Sequence, residues 1–311
     1  MNRVPSETAV AVLMGGWSAE REVSLSSGKS CLAALTRAGF RAVPVDVQRG
    51  SIVPVLQEMK PDVAFNALHG KWGEDGCCAA ILETLQIPYT HSGVLASSLA
   101  MHKEKSKVIF AAAGIPVAES LLVPLEEVAA GHPMPPPYVV KPVNEGSSVG
   151  VHIVLETANG PARGVLDERH IFGSHAMVER FVPGKELTCA VIGETPLGVI
   201  DIVSKSSSWY DYTAKYAPGG SQHILPAEIA GAVYRHCQDL ALRAHRALGC
   251  RGVSRADFRY DEGGTGELIL LEVNTQPGMT GTSLVPELAA HAGHSYEALV
   301  TWMVNDASVD R

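Results

Sequence analysis

Short apolar segments alternate with helical patterns over the first hundred residues, and this alternation limits the possible folds more than any other feature. Residues 9–16 (AVAVLMGG) are a predicted strand that ends in a Gly-Gly turn, and the apolar spacing predicts a helix over 24–38. Two further strands are predicted over 40–47 and 61–70. A strand–helix–strand alternation is typical of an α/β fold with a doubly wound parallel sheet. Ligands of such sheets bind beyond the carboxyl ends of the strands.

Composition and charge exclude several classes of protein. The chain has 311 residues, of which 46% are hydrophobic and 19% charged, so it is long enough for two or three domains. Its formal net charge of -8 gives no overall basic footprint for nucleic acid. No apolar segment approaches the roughly 18 residues that a membrane span needs. The six cysteines have no metal-binding spacing and indicate a reducing compartment. We therefore expect a cytoplasmic protein.

The rest of the chain is predicted to be richer in strands. A proline-rich segment, 131–137, indicates a linker. Strands are predicted over 138–143, 177–184, 186–193, 197–203, 254–260 and 267–274, and helices over 97–114 and 226–248. Residues 204–223 are polar and aromatic without periodicity, which predicts a long loop. Loops of that length inside a compact domain are usually functional or disordered.

The last two predicted strands place four polar side chains on one face of a hairpin. With the turn centred between residues 264 and 265, Asp257 lies opposite Glu272. Side chains alternate along a strand, so Asn274 shares the face of Glu272 and Arg255 that of Asp257. Opposed carboxylates need a cation, and this oxygen donor set suits Mg²⁺ or Mn²⁺. The alternative is a solvated hairpin with surface charges.

Two other groups of residues have weaker signals. The segment 141–150 (KPVNEGSSVG) combines Lys141 with a loop of small residues whose backbone N–H groups can hold phosphate oxygens, although an ordinary turn remains the alternative. It is not a Walker A loop. Glu20, Arg21 and His69 lie near the carboxyl ends of predicted strands, where ligands bind. A lone histidine at such a place is more often structural.

Six motifs in order resemble the D-alanine–D-alanine ligase family of the ATP-grasp superfamily. They are GGWSAEREVSLSSG, LHGKWGEDG, YVVKPVNEGSSVG, YDYTAKY, SRADF and LLEVNTQPGMTGTSLVP. The resemblance implies a three-domain ATP-grasp architecture with an N-terminal doubly wound parallel sheet and with the nucleotide between two antiparallel sheets. The expected domains are 1–100, 101–186 and 187–311, the last with a mobile loop over 204–223. The implied partners are ATP, D-alanine and a second copy of the chain in a homodimer, with no nucleic acid and no membrane.

The resemblance also implies a reaction. The carboxylate of a first D-alanine attacks the γ-phosphate of ATP, and the amine of a second D-alanine then attacks the acyl phosphate. The products are ADP, phosphate and D-alanyl-D-alanine for peptidoglycan precursors. The implied metal ligands, for two Mg²⁺ or Mn²⁺ ions, are Asp257, Glu272 and Asn274. The implied ATP-binding residues are Lys103, Lys141, Ser147, Ser148, Glu179, Arg180, Phe181, Val182, Glu186 and Lys215.

Substrate and catalytic roles follow from the same motifs. Glu20 corresponds to the residue that holds the ammonium of the first D-alanine, and Arg255 and the Gly278 amide to the donors that stabilise the tetrahedral intermediate. Ser147 and Tyr216 correspond to the pair that closes the loop over the site. The expected substrate-binding residues are Glu20, His69, Ser283 and Leu284, and the catalytic set is Glu20, Ser147, Tyr216, Arg255, Gly278 and Ser283.

Two positions depart from the family pattern, and three alternatives stay open. His102 precedes Lys103 where the family usually has Asp, and Gln276 replaces a residue that is often small and polar. One alternative is a D-alanine–D-lactate ligase or another ATP-grasp carboxylate–amine ligase, although the presence of Tyr216 favours the dipeptide. The others are a dinucleotide-binding oxidoreductase, which the first turn disfavours because it lacks G-x-G-x-x-G, and a non-catalytic nucleotide sensor.

Overall fold

The N-terminal part of the chain forms the expected parallel sheet. The computed structural model describes residues 3–146, 149–158, 160–204 and 220–311. Three parallel strands have the order β2-β1-β3, with β1 at Ala9–Gly15, β2 at Arg41–Val47 and β3 at Val63–Asn66. Helix α1 (Arg21–Arg37) connects β1 to β2, and α2 (Ile52–Met59) connects β2 to β3. The strand order therefore reverses at β1, which creates a switch point between β1 and β3.

Helices cover both faces of this sheet, as a doubly wound fold requires. Val10 and Val12 pack on the α1 side with Leu35, whereas Ala11 and Leu13 pack on the α2 side. The helix α3 (Cys77–Thr84) covers the second face as well. The burial of both faces explains why β1 is a continuous apolar run.

β3 is shorter than the sequence predicts, and its end has a local cause. The predicted strand 61–70 is a strand only over Val63–Asn66. The side chain of Asn66 accepts a hydrogen bond from the N–H of Leu68 at 3.2 Å, which turns the chain out of the sheet. Residues 67–76 consequently form a loop at the carboxyl edge of the sheet.

The single helix predicted over 97–114 is wrong, because the structure has two helices there. They are α4 (Val94–Met101) and α5 (Lys103–Ala112). His102 separates them with an extended backbone (φ -94°, ψ 90°), and its Nδ1 accepts a hydrogen bond from the N–H of Lys105 at 3.4 Å. His102 is thus the N-cap of α5.

The central part of the chain is a four-stranded antiparallel sheet of order β4-β7-β5-β6. Its strands are β4 (Ser120–Pro124), β5 (Tyr138–Lys141), β6 (His152–Val154) and β7 (His175–Arg180). Short helices accompany it: α6 (Leu125–Ala130), a 3₁₀ helix at Arg163–Leu166, and α7 (Arg169–Phe172). Tyr138 and Val140 are fully buried in the core beneath it.

The third sheet has five antiparallel strands in the order β10-β9-β8-β11-β12. They are β8 (Lys185–Ile192), β9 (Thr195–Ser204), β10 (Ser221–Ile224), β11 (Val253–Tyr260) and β12 (Leu268–Asn274). Helix α8 (Gly231–Leu248) packs on it together with α4 and α5. The prediction of a loop over 204–223 is wrong at its C-terminal end, because Ser221–Ile224 pairs with β9 as an edge strand. Residues 205–219 lie outside the described residues.

The C-terminal helices return to the parallel sheet. Helices α9 (Leu284–His291) and α10 (Tyr296–Asp306) share a core with β1 and α1. The domain division at residues 100 and 186 stays a prediction, and its second boundary falls within the continuous strand β8. Within the part of the chain that the structure describes, no helix combines the length and the apolar character that crossing a bilayer demands.

Candidate active site

The β11–β12 hairpin pairs the two carboxylates that the sequence places opposite each other. Asp257 pairs with Glu272 and Arg255 with Asn274, which confirms the predicted register. The register shifts directly after Asp257, because β12 contains one extra residue at this point. The four polar side chains pair before this shift, where the regular register keeps them on one face.

Asp257 is held by four hydrogen bonds. Arg255 donates from Nε to Oδ1 at 2.8 Å and from Nη2 to Oδ2 at 2.7 Å. Thr188 donates from Oγ1 to Oδ1 at 2.6 Å, and Asn274 donates from Nδ2 to Oδ2 at 3.1 Å. The nearby carboxylate of Glu272 has Lys103 as a cationic partner, with Oε2 and Nζ 3.2 Å apart. The site therefore already balances its negative charge with two cations.

The donor set of the hairpin fits a hard divalent cation. Asp257 and Glu272 supply carboxylate oxygens, and the amide oxygen of Asn274 remains available because its Nδ2 is the atom that contacts Asp257. Oxygen donors of this kind suit Mg²⁺ and Mn²⁺. In the described ranges, no group of three or more His, Cys, Asp or Glu side chains forms a metal-binding cluster, so the amide is needed to complete a third ligand.

An open cleft, with about 910 Å³ of space that includes the solvent at its mouth, lies between the two antiparallel sheets, above this hairpin. All of the predicted nucleotide-binding residues that the structure describes line it. The lining includes Lys103, Lys141, Glu179, Arg180, Phe181, Val182, Glu186, Asp257 and Glu272. The cleft has apolar walls and clustered charges, which is the usual character of a cofactor or nucleotide pocket.

Lys103 and Lys141 line the cleft from two different elements. Lys103 begins α5, and its Nζ donates to the backbone oxygen of Glu145 at 2.5 Å. Lys141 ends β5, and its Nζ lies 2.8 Å from Oε1 of Glu179. Both cations are largely buried, which strengthens their interaction with an anionic ligand.

Glu179 is the centre of a buried ion triad. Lys141 contacts its Oε1, and Lys107 of α5 contacts its Oε2. Burial alone would raise the pKa of Glu179, but the charges and hydrogen bonds of the two lysines outweigh burial and lower that pKa. Burial also lowers the pKa of Lys107, although the Glu179 charge opposes this effect. Lys107 was not predicted as a site residue.

Arg259 lines the cleft and is a further residue that the sequence did not predict. Its Nε donates to the backbone oxygen of Val182 at 3.0 Å, and its guanidinium lies 5.8 Å from the ring centre of Phe181. Glu186 is its ionic partner at 3.5 Å. Arg259 follows Arg255 and Asp257 along β11 at a spacing of two residues, which places all three on one face of the strand. This two-residue period was a signal that could have identified Arg259.

Glu20 lies at the switch point of the parallel sheet, directly before α1. Its side chain is buried against the loop that follows β3, because a Cβ atom at Gly70 would lie only 2.8 Å from its Oε2. Gly70 also has a φ of +72°, which favours glycine. The same oxygen lies near Gly146, at the start of the small-residue loop. Glu20 therefore faces the loop of the central sheet.

The loop between β12 and α9 brings together the remaining described candidates. Ser283 precedes α9, and its Oγ accepts a hydrogen bond from the N–H of Thr280 at 2.9 Å. A Cβ atom at Gly278 would lie 3.0 Å from that Oγ. Leu284 is the first residue of α9 and is buried. Gly278 and Ser283 are thus direct neighbours.

Four predicted site residues lie outside the described residues: Ser147, Ser148, Lys215 and Tyr216. His69 is described and is buried, but both of its ring nitrogens are already hydrogen-bonded within the protein. Nδ1 lies 3.0 Å from Oε1 of Glu74, and Nε2 lies 3.0 Å from Oγ of Ser27.

Comparison with known proteins identifies the family. Residues 109–305 match the family model described as D-ala D-ala ligase C-terminus. The chain is 60% identical to the D-alanine–D-alanine ligase of Parvibaculum lavamentivorans over 97% of this chain and 98% of that protein. The chain belongs to the D-alanine–D-alanine ligase family. A relative from Cereibacter sphaeroides with the same name is 59% identical over 97% of this chain and 96% of its own length.

Solved structures of the family have the same architecture. The D-alanine–D-alanine ligase of Bacillus anthracis complexed with ATP superposes with a TM-score of 0.79, at 28% identity over 96% of this chain and 97% of that one. The VanG D-Ala:D-Ser ligase of Enterococcus faecalis gives a TM-score of 0.77 at 28% identity, over 96% of this chain and 98% of that one. The ATP-grasp fold expected from the motifs is therefore confirmed.

Proposed function

We propose that the protein joins two D-alanine molecules to D-alanyl-D-alanine while ATP is converted to ADP and phosphate. The observation that carries this proposal is the cleft that Lys103 and Lys141 line together with the carboxylates of Asp257 and Glu272. Cations and oxygen ligands that converge on one pocket suit the polyphosphate of a metal–nucleotide complex. The close relatives named D-alanine–D-alanine ligase support the choice of substrates.

The first half of the reaction is a phosphoryl transfer. A carboxylate oxygen of the first D-alanine attacks the γ-phosphorus, the bond to the bridging oxygen breaks, and ADP leaves with the electron pair. Lys103 and Lys141 hold and neutralise the phosphates, so that an anionic nucleophile approaches an anionic centre with less repulsion. Divalent ions held by Asp257, Glu272 and Asn274 would supply further neutralisation of the phosphate charge.

The second half is an acyl transfer. The amine of the second D-alanine attacks the carbonyl carbon of the acyl phosphate, loses a proton, and phosphate leaves as the peptide bond forms. We assign Glu20 to the ammonium of the first D-alanine, since a buried carboxylate is the natural partner for that group. Arg255 and the Gly278 N–H stabilise the developing oxyanion. Ser283 and Leu284, at the start of α9, bind the carboxylate of the second D-alanine.

The test is ADP release with Mg²⁺-ATP, measured without amino acid and with D-alanine, L-alanine, or D-alanine plus D-lactate or D-serine. We expect ADP formation with D-alanine alone and one D-alanyl-D-alanine per ADP. An ester with D-lactate or a mixed dipeptide with D-serine as the main product would overturn the assigned specificity. A folded protein that binds ATP without turnover under any condition would instead be a nucleotide sensor. We extend the proposal to a homodimer acting in the cytoplasm, and sedimentation equilibrium tests the dimer.

A further inference from the structure

We propose that Ser27 is a positioning residue that, together with His69 and Glu74, fixes the backbone of Met279 and thereby the position of Gly278, the residue before it. The inference rests on the proposed function, in which the Gly278 N–H stabilises the oxyanion. The inference gives a role to Ser27 and Glu74, for which the family motifs imply none. It also gives His69 an indirect role.

A chain of hydrogen bonds joins the parallel sheet to the loop after β12. The N–H of Met279 donates to Oγ of Ser27 at 3.2 Å. The same Oγ lies 3.0 Å from Nε2 of His69, and Nδ1 of His69 lies 3.0 Å from Oε1 of Glu74. Ser27, His69 and Met279 are all buried, so these contacts do not compete with water.

The direction of each of these hydrogen bonds follows from which groups can only donate and which can only accept. The Met279 N–H can only donate, so Oγ of Ser27 accepts there. The carboxylate of Glu74 can only accept, so Nδ1 of His69 donates to it. In the tautomer with its hydrogen on Nδ1, Nε2 of His69 is an acceptor and takes the hydroxyl hydrogen of Ser27.

The backbone oxygen of Met279 is also held by a hydrogen bond. Tyr296 of α10 donates its hydroxyl hydrogen to the backbone oxygen of Met279. Both backbone groups of Met279 are therefore tied to side chains from two different elements. The Gly278 N–H belongs to the preceding peptide bond, with Pro277, so the contacts of Met279 restrain it through the position of the Gly278 Cα. Glycine has no side chain to add a restraint of its own.

His69 connects this peptide to the ammonium-binding side of the site. Its backbone oxygen accepts a hydrogen bond from Oγ of Ser18 at 2.6 Å, and that Oγ in turn accepts the N–H of Glu20 at 3.2 Å. One residue thus sets the spacing between Glu20 and the Gly278–Met279 peptide. Since both ring nitrogens have protein partners, His69 acts through Ser27 and Glu74 and not by touching the substrate.

The experiment compares Ser27→Ala with Ser26→Ala, an exposed serine next to it on α1. For Ser27→Ala we expect kcat to fall about tenfold to a hundredfold, with the KM for ATP within about twofold of wild type. Affinity for a phosphinate dipeptide, whose tetrahedral phosphorus imitates the intermediate, should fall by a similar factor to kcat. Ser26→Ala should match wild type in all three quantities.

A merely structural role for Ser27 would give a different pattern. It would lower the melting temperature and the active fraction, while kcat per folded molecule and phosphinate affinity stayed at wild-type values; that result overturns the inference. If Ser27→Ala does not fold, Tyr296→Phe tests the same residue, Met279, through its backbone oxygen. We expect it to lower kcat and phosphinate affinity together, and unchanged values would equally overturn the inference.

The two proposals fail in distinguishable ways. If wild-type protein makes no D-alanyl-D-alanine, the proposed function fails, and no variant is needed to see it. If wild type is active and Ser27→Ala equals Ser26→Ala per folded molecule, the function stands and the positioning role alone is wrong.

Discussion

Glu179 lies 2.8 Å from the ammonium of Lys141, and both largely buried side chains line the cleft between the antiparallel sheets. Lys107 contacts the second oxygen of the same carboxylate. The triad therefore has one negative and two positive charges in a region that is largely shielded from water. Its stability depends on Glu179 far more than on either lysine.

We predict that Glu179→Gln strongly destabilises the fold. The change leaves two buried ammonium groups facing each other without a carboxylate, and breaking a buried pair in this way costs roughly 3–5 kcal/mol. Denaturant unfolding of the metal-free and nucleotide-free protein measures the effect. Glu168→Gln is a suitable control because its partner His152 and its own side chain are partly exposed. A loss of less than about 1 kcal/mol in the free energy of unfolding of Glu179→Gln would contradict the prediction.

Lys107→Met should have a much smaller effect on the free energy of unfolding than Glu179→Gln. Removing Lys107 leaves a neutral pair of Glu179 and Lys141, and replacing a buried charge by an apolar group of similar volume is often nearly neutral. We expect the cost to be less than half that of Glu179→Gln in the same denaturant series. Equal costs would show that the net charge of the triad is not what decides its stability.

The same triad makes stability depend on pH in acid. The pKa of Glu179 is lowered in the folded protein, so the carboxylate stabilises the fold above its unfolded pKa of about 4.3. This contribution disappears as the pH falls through the lower, folded pKa. Between neutral pH and the acid limit, the wild type should lose more stability than Glu179→Gln does. Parallel pH profiles of the two proteins would argue against an ionised Glu179.

The metal site is tested by comparing two glutamates of one hairpin. Glu272→Gln removes an assigned ligand, whereas Glu262→Gln changes an exposed residue of the turn. In wild type and Glu262→Gln, Mg²⁺ should tighten the binding of a non-hydrolysable ATP analogue. In Glu272→Gln we expect the factor by which Mg²⁺ increases the affinity for the analogue to fall by at least about tenfold. Calorimetric titration with and without Mg²⁺ measures this affinity. An equal increase of affinity with Mg²⁺ in all three proteins would contradict the assignment of Glu272 as a metal ligand.

The sequence predicted the hairpin well and the connections between domains poorly. The pairing of Asp257 with Glu272 follows from a turn and a two-residue period, both of which are local. By contrast, Ser27 and Met279 meet although they are 252 positions apart, and no local pattern signals such a contact. The roles of Lys107 and Arg259 likewise depend on which sheet faces the cleft.

The break at His102 shows a different limit. The apolar pattern continues across the residue, so periodicity predicts one helix, and only the capping hydrogen bond reveals two. The fold class and most of the cleft were therefore accessible to sequence reasoning. The contacts that set the precise geometry were not, because they join residues from different elements.

His102→Asp should stabilise the protein. The Nδ1 of His102 accepts the Lys105 N–H at a long 3.4 Å, whereas aspartate is a preferred N-cap and its charge favours a helix N-terminus. We expect a gain of about 0.5–1 kcal/mol in the free energy of unfolding. His102→Ala removes the acceptor and should lower stability. A gain for His102→Ala similar to that for His102→Asp would mean that the cap contributes nothing.

Gln276 joins the loop after β12 to the parallel sheet. Its Oε1 accepts a hydrogen bond from Nδ2 of Asn66 at 2.7 Å, and its Nε2 donates to the backbone oxygen of Leu68. A small polar residue, which the family often has here, is too short to make both contacts. The glutamine therefore adds a link between the two parts of the chain that carry Glu20 and Gly278.

Gln276→Ala should consequently lower both stability and activity. It leaves the buried oxygen of Leu68 without this donor and the amide of Asn66 without this acceptor, at a cost of roughly 1–3 kcal/mol. Because the same loop carries Gly278, kcat per folded molecule should fall while the KM for ATP stays near wild type. Gln57→Ala, an exposed glutamine on α2, should change neither quantity by much. If Gln276→Ala loses stability but keeps its kcat per folded molecule, Gln276 stabilises the contact between these parts of the chain without contributing to the geometry of the site.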